Sequence, residues 1–292
     1  MRILPCFFSL LVICFTSCQV PEPQYGVAYI TDRDGNFDIY FTNELGDTHH
    51  KLTDNPGMDW SPKWDKANDR IIHYSSDTSG NFSILSRKLT KERLPLETAG
   101  LEEFILSPDG DMVLFTRKDS VYRHILALDL ETKDTLTLVD HPSYNGRPKW
   151  SPDGKWVSFI SDRHGNNELF AIRVADGELK RLTYTPGREK YTSWSGEGEY
   201  LYYTMSAKEN QNNIFRVKLS TTETEAITSD TLLYEEIACS PDGTQLAFHA
   251  KRDCEHHIFV MKVDGSEERK ITQEQAYHGE PEWIILPEAE EE

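Results

Sequence analysis

The chain has 292 residues, 38% of them hydrophobic, with 31 Lys and Arg against 49 Asp and Glu for a formal charge of −18. This is enough apolar material for a sizeable core, and so acidic a surface excludes the phosphate backbone of nucleic acid as a partner. Aromatic residues make up 11%, Gly and Pro are spread along the chain, and no long helical periodicity occurs, which favours an all-β fold.

The amino-terminal segment reads apart from the rest. Met1-Arg2 is a basic start, Ile3 to Phe15 is apolar, and Thr16-Ser17 leads to Cys18. Residues 1–17 have the form of a secretory signal, the apolar run being shorter than the roughly 20 residues of a membrane span. Phe15-Thr16-Ser17-Cys18 resembles the bacterial lipobox, with Phe15 in place of the usual aliphatic residue. The resemblance implies lipidation of Cys18 and a membrane anchor without a spanning helix. Residues 18–24 then form a polar, Pro-containing tether. Cleavage removes Arg2 and leaves a formal charge of −19. Cys6, Cys14 and Cys18 belong to this leader; Cys239 reads as a small core residue, and with Cys254 it makes no disulfide framework.

Residues 25–287 are built from a repeat. Trp64, Leu106, Trp150, Trp194, Cys239 and Trp283 follow one another at 42–45 residues, each with Leu or Ile 12 positions upstream. Each unit contains four short strand patterns. Ser-Pro-Asp-Gly at 107–110, 151–154 and 240–243, and the degenerate Ser195-Gly196-Glu197-Gly198, supply a hairpin turn between the first and second. Loops such as Asp32-Arg33-Asp34-Gly35-Asn36, Asp77-Thr78-Ser79-Gly80-Asn81 and Asp162-Arg163-His164-Gly165-Asn166 separate the second from the third. Four strands in about 44 residues describe a propeller blade. The repeat opens at Tyr25 without its first strand, and Gly279 to Ile285 supplies a first strand without the other three. The expectation is a six-bladed β-propeller whose first blade is completed by the C-terminal strand, leaving residues 288–292 as an acidic tail.

The Trp-Ser-Pro-Asp-Gly-Lys and Ser-Asp-Arg-x-Gly-Asn signatures resemble those of TolB-like β-propellers across residues 25–287. That resemblance implies the fold. It implies little about activity, since similar repeats serve periplasmic protein-binding propellers, accessory domains of peptidases and a pectin-fragment lyase.

The residues preceding each first strand gather at the channel mouth in such a ring. They nominate Asp59, Glu102, Glu103, Arg147, Lys190, Tyr191, Glu235, Glu236, His278 and Glu280 as a ligand-binding rim. Asp32, Asp34 and Asn36 of an Asp-Arg-x-Gly-Asn loop could offer oxygen ligands to a cation, but Asp and Asn in such turns more often bond the local backbone; the adjacent pairs His49-His50 and His256-His257 lack metal-ligand spacing, and no Gly-x-Ser-x-Gly occurs, so no metal, cofactor or catalytic residue is assigned. The reading is a non-catalytic propeller of the bacterial cell envelope, lipid-anchored on the periplasmic or surface face of the outer membrane. It would bind an envelope protein or glycan at the mouth. A metal-dependent lyase acting on acidic oligosaccharides is the alternative.

Overall fold

The computed structural model describes residues 24–286 except 55, 77–81, 87–90, 94–100 and 209–210. The leader, Cys18, most of the tether, the acidic tail and the loop at 77–81 lie outside the described residues.

All described regular structure is strand, arranged in antiparallel four-stranded sheets. The first sheet orders β24 (His278–Ile285), β1 (Tyr25–Thr31), β2 (Asp38–Asn43) and β3 (His49–Lys51). The second holds β4 (Asp59–Asp65), β5 (Arg70–Ser75), β6 (Phe82–Ser86) and β7 (Lys91–Arg93); the third, β8 (Leu101–Leu106), β9 (Met112–Lys118), β10 (Arg123–Asp129) and β11 (Thr135–Val139). The fourth holds β12 (Asn145–Trp150), β13 (Trp156–Ser161), β14 (Glu168–Arg173) and β15 (Leu179–Arg181); the fifth, β16 (Arg188–Trp194), β17 (Tyr200–Lys208), β18 (Gln211–Lys218) and β19 (Thr224–Ala226). The sixth comprises β20 (Tyr234–Cys239), β21 (Gln245–Arg252), β22 (Glu255–Lys262) and β23 (Arg269–Lys270). Each sheet is a blade of an all-β propeller, and β24 pairs with β1 from Tyr25↔Ile285 to Thr31↔His278.

The repeated signatures build the blades. Ser151 Oγ donates to Asp153 at 2.7 Å and accepts the Trp156 N–H at 2.9 Å, closing the hairpin over Gly154 at φ 70°. In the loop after β1, Asp32 accepts the Tyr277 N–H at 2.8 Å, Asn36 donates to the Gly57 carbonyl, and Arg33 lies 4.4 Å from the centre of the Tyr40 ring. The carboxylate and amide thus hold neighbouring backbone.

The cores lie between blades. One cluster joins Leu114, Ile125 and Val139 of the third blade to Trp150, Phe159 and Phe170 of the fourth; burying each such side chain contributes about 1.5–3 kcal/mol. Hydrogen bonds link successive blades. The Phe104 N–H donates to the Tyr74 hydroxyl at 3.1 Å, Trp194 Nε1 to the Lys149 carbonyl at 3.2 Å, the Cys239 N–H to Ser193 Oγ at 2.9 Å, and Trp283 Nε1 to the Ala238 carbonyl at 3.0 Å.

Every innermost strand is irregular. The register slips between Trp60 and Lys63, Glu102 and Ile105, Gly146 and Lys149, Glu189 and Thr192, and Glu235 and Ala238. In the first blade the slip falls opposite Ala28 to Ile30 on β1. A bulge of this kind turns a side chain out of the pleat. Its central residue has positive φ in five blades: Ser61 (55°), Glu103 (51°), Arg147 (55°), Glu236 (43°) and Glu280 (52°). A non-glycine residue there costs about 1–3 kcal/mol, so neighbouring structure must hold it.

Candidate functional site

The bulges place one residue per blade at the upper end of a central channel: Ser61, Glu103, Arg147, Tyr191, Glu236 and Glu280 line a cavity of about 210 Å³. Each stands three residues before its blade's Trp-equivalent. Two residues further on, Lys63, Ile105, Lys149, Ser193, Ala238 and Glu282 form the waist, shared with a lower cavity of about 270 Å³. Trp64, Trp150, Trp194 and Trp283 border that lower cavity, as does Cys239, which is only partly buried.

Five of the ten nominated residues line the upper cavity: Glu103, Arg147, Tyr191, Glu236 and Glu280. Asp59 and His278 do not belong on the rim. Both are fully buried, because they lie two residues before the bulge, where the slip in register turns the side chain into the blade. Asp59 Oδ1 lies 3.3 Å from His73 Nε2, and His278 stacks on His257 at 5.4 Å and contacts the Tyr29 ring at 5.7 Å. Lys190 and Glu235, one residue before the bulge, are half-buried outside the cavity lining, and Glu235 lies 3.8 Å from His249 Nδ1. The Glu102 side chain is outside the described residues.

The mouth carboxylates also serve the fold. Glu103 accepts the Arg147 N–H at 2.8 Å, Glu236 accepts the Glu280 N–H at 2.8 Å, and Glu280 accepts the Ser61 N–H. Each glutamate therefore holds the positive-φ residue of the following blade. Burial pushes the Glu236 carboxyl up to about 7, with Glu280 and Glu235 adding to the rise and the Glu280 N–H opposing it.

Arg147 carries the amphipathic part of the mouth. Its guanidinium lies 4.2 Å from the centre of the Tyr191 ring, and its positive charge acts on the hydroxyls of both Tyr191 and Tyr144. A Cβ on Gly146 would lie 2.5 Å from the Tyr144 hydroxyl, and one on Gly279 the same distance from the Tyr277 hydroxyl, so a larger residue at either position would push a tyrosine aside. Tyr277 contacts His249 and His256, with ring centres 5.4 and 5.2 Å apart.

His249 and His256 share a hydrogen bond of 2.9 Å, while His257 faces the other way, toward Thr272 and Glu255. Burial and the nearby imidazoles hold His249 down at about 3; burial is also the largest cause holding His278 at about 4. Among the described residues no three His, Cys, Asp or Glu side chains converge as a metal-ligand set.

The waist is what the sequence reading missed. Lys63, Lys149, Ser193 and Glu282 directly precede their Trp-equivalents, so the repeat register could have placed them on the channel side, two residues past the bulge. Desolvation by surrounding protein pushes the Lys149 ammonium down to about 8, helped by nearby Lys63 and Arg147 and opposed by Glu282 and Glu103, although the residue keeps some exposure to channel water.

Comparison with known proteins identifies the lineage of this ring. The chain is 27% identical over 193 residues to the uncharacterized peptidase YuxL of Bacillus subtilis; the match covers 62% of this chain but 28% of that protein. TolB from Acinetobacter baumannii superposes with a TM-score of 0.76 at 20% identity, covering 89% of this chain and 66% of that one. An oligogalacturonate lyase in complex with manganese gives a TM-score of 0.59 at 13% identity, covering 85% of this chain and 74% of the lyase. At such identities both likenesses show the fold alone. The family described as the TolB beta propeller domain matches residues 105–285, and the chain belongs to that family.

Proposed function

We propose that this chain is a six-bladed, lipid-anchored propeller of the bacterial cell envelope that binds a protein segment or glycan at the channel mouth. The observation that carries this reading is Arg147, which presents a cation on the Tyr191 ring beside the Tyr144 hydroxyl, within a ring that also holds Glu103, Glu236 and Glu280. A tyrosine face with charged groups beside it suits an extended peptide or a sugar, each of which offers an apolar face and hydrogen-bonding groups. The Phe15-Thr16-Ser17-Cys18 lipobox supports the anchor.

The test is affinity capture from solubilised membranes of the native host, comparing the native chain with Arg147→Ala/Tyr191→Ala. These two residues alter the mouth without removing a carboxylate that holds a bulge. Loss of one specific partner from the variant supports the reading. Retention of that partner overturns it. Cys18→Ser should in parallel move the protein from the membrane to the soluble fraction.

A further inference from the structure

The lower half of the channel differs in charge from its mouth. Lys63, Lys66 and Lys149 line it with Glu282 as the one carboxylate among its lining residues, whereas the upper cavity sets Glu103, Glu236, Glu280 and Glu282 against Lys63, Arg147 and Lys149. This is a cationic pocket in a chain of net charge −18.

Its cations are not equivalent. Lys63 Nζ donates to the Pro62 carbonyl at 2.8 Å and lies 3.9 Å from Glu282, whose other oxygen accepts the Trp64 N–H at 3.3 Å. Lys66 is exposed at the rim. Among the described residues the Lys149 ammonium has neither a hydrogen bond nor an ion pair, although it stands where the two cavities meet. A half-buried ammonium with no protein partner is left to channel water, and an anion delivered from the channel would pair with it.

The rest of the lining sets the shape and polarity of that anion. Trp64, Trp150, Trp194 and Trp283 surround the pocket, with Ile105 at its upper edge. Its volume of about 270 Å³ lies below the range of drug-sized sites, so the occupant is small. With Lys63 and Glu282 matched to each other, one cationic charge is left over within the waist, which suits a monoanion.

We propose that the lower half of the channel is a second binding site, for a small organic carboxylate whose anionic end meets Lys149 and whose apolar body lies against the wall bordered by Trp64, Ile105 and the largely buried Trp150, Trp194 and Trp283. The site runs from the waist, where Lys149 borders both cavities, away from the mouth residues.

Isothermal titration of the full chain with benzoate, benzamide and inorganic phosphate at pH 7 tests it. Benzoate is expected to bind saturably at one site, with benzamide at least about tenfold weaker because it lacks the charge. Lys149→Met should abolish benzoate binding while melting no lower than the native chain. Lys149→Arg, which keeps the charge, should retain it within a few fold. No saturable benzoate binding, equal binding of benzamide, phosphate binding as tight as benzoate, or unchanged binding by Lys149→Met would each overturn the proposal. None of these results bears on partner capture at the mouth.

Discussion

Glu236 accepts the backbone N–H of Glu280 at 2.8 Å, so a carboxylate of the sixth blade holds the positive-φ residue of the strand that joins the first. Burial beside Glu280 and Glu235 raises this carboxyl from 4.5 to about 7. The native state therefore binds a proton that the unfolded chain releases. The stability this confers is complete below about pH 4.5 and lost as pH rises to about 7. Glu236→Gln keeps an acceptor for Glu280 and does not titrate. Relative to the native chain it should gain about 3 kcal/mol between pH 4.5 and 8, measured by urea unfolding at each pH. A difference that stays flat would remove Glu236 from this role.

Two tryptophans at equivalent positions make different bonds. Trp194 Nε1 donates to the Lys149 carbonyl of the preceding blade, whereas Trp150 Nε1 is buried without an acceptor among the described residues. Both rings pack as core. Trp194→Phe should therefore cost about 1 kcal/mol more than Trp150→Phe, the net worth of one hydrogen bond. Equal losses in the two denaturation midpoints would mean that the bond contributes nothing beyond packing.

The four-strand unit is legible in the sequence because turns announce themselves. Ser-Pro-Asp-Gly fixes a hairpin through its own hydroxyl and carboxylate, and Asp32 and Asn36 hold adjacent backbone, so those residue types recur wherever the geometry does. The pairing of β24 with β1 is legible for the same reason, as complementary parts of one unit at the two ends of the repeat. Which side chains reach the channel is harder to see. Strict alternation would put Asp59, Ser61 and Lys63 on one face, but the bulge at Ser61 adds a residue, sending Asp59 into the blade and leaving Ser61 and Lys63 on the channel. Glu103, Arg147 and Tyr191 were within reach of sequence reasoning because they occupy the bulge itself. The hold of one blade's glutamate on the next blade's backbone was not, since it depends on contacts 44 residues apart.

His249 predicts a response to acid. Burial against His256, His257 and His278 keeps its imidazole neutral in the fold, down to about 3, while the unfolded value is 6.5. Its contribution to stability is therefore present above pH 6.5 and is lost as pH falls toward 3. His249→Gln cannot take up this proton. Its stability at pH 7 should be lower by about 1 kcal/mol for the lost bond to His256, yet it should fall less steeply than the native chain between pH 6.5 and 4. Parallel pH profiles in chemical denaturation would contradict the assignment of this buried imidazole.

Lys149 gives the opposite slope at alkaline pH. Desolvation lowers its ammonium from 10.5 to about 8, so across that window the unfolded chain holds a proton that the native chain has lost, and native stability rises with pH. Lys149→Met removes the desolvated charge altogether. Its advantage over the native chain should be about 3 kcal/mol at pH 7 and should shrink toward the constant packing difference above pH 10.5. The same titration links stability to the lower cavity. If the ammonium is the anion's partner, benzoate affinity should weaken above pH 8, where an ordinary lysine would remain charged, and the fall should be about tenfold per pH unit once Lys149 is mostly neutral. An affinity constant from pH 7 to 10 would show that a different group holds the carboxylate.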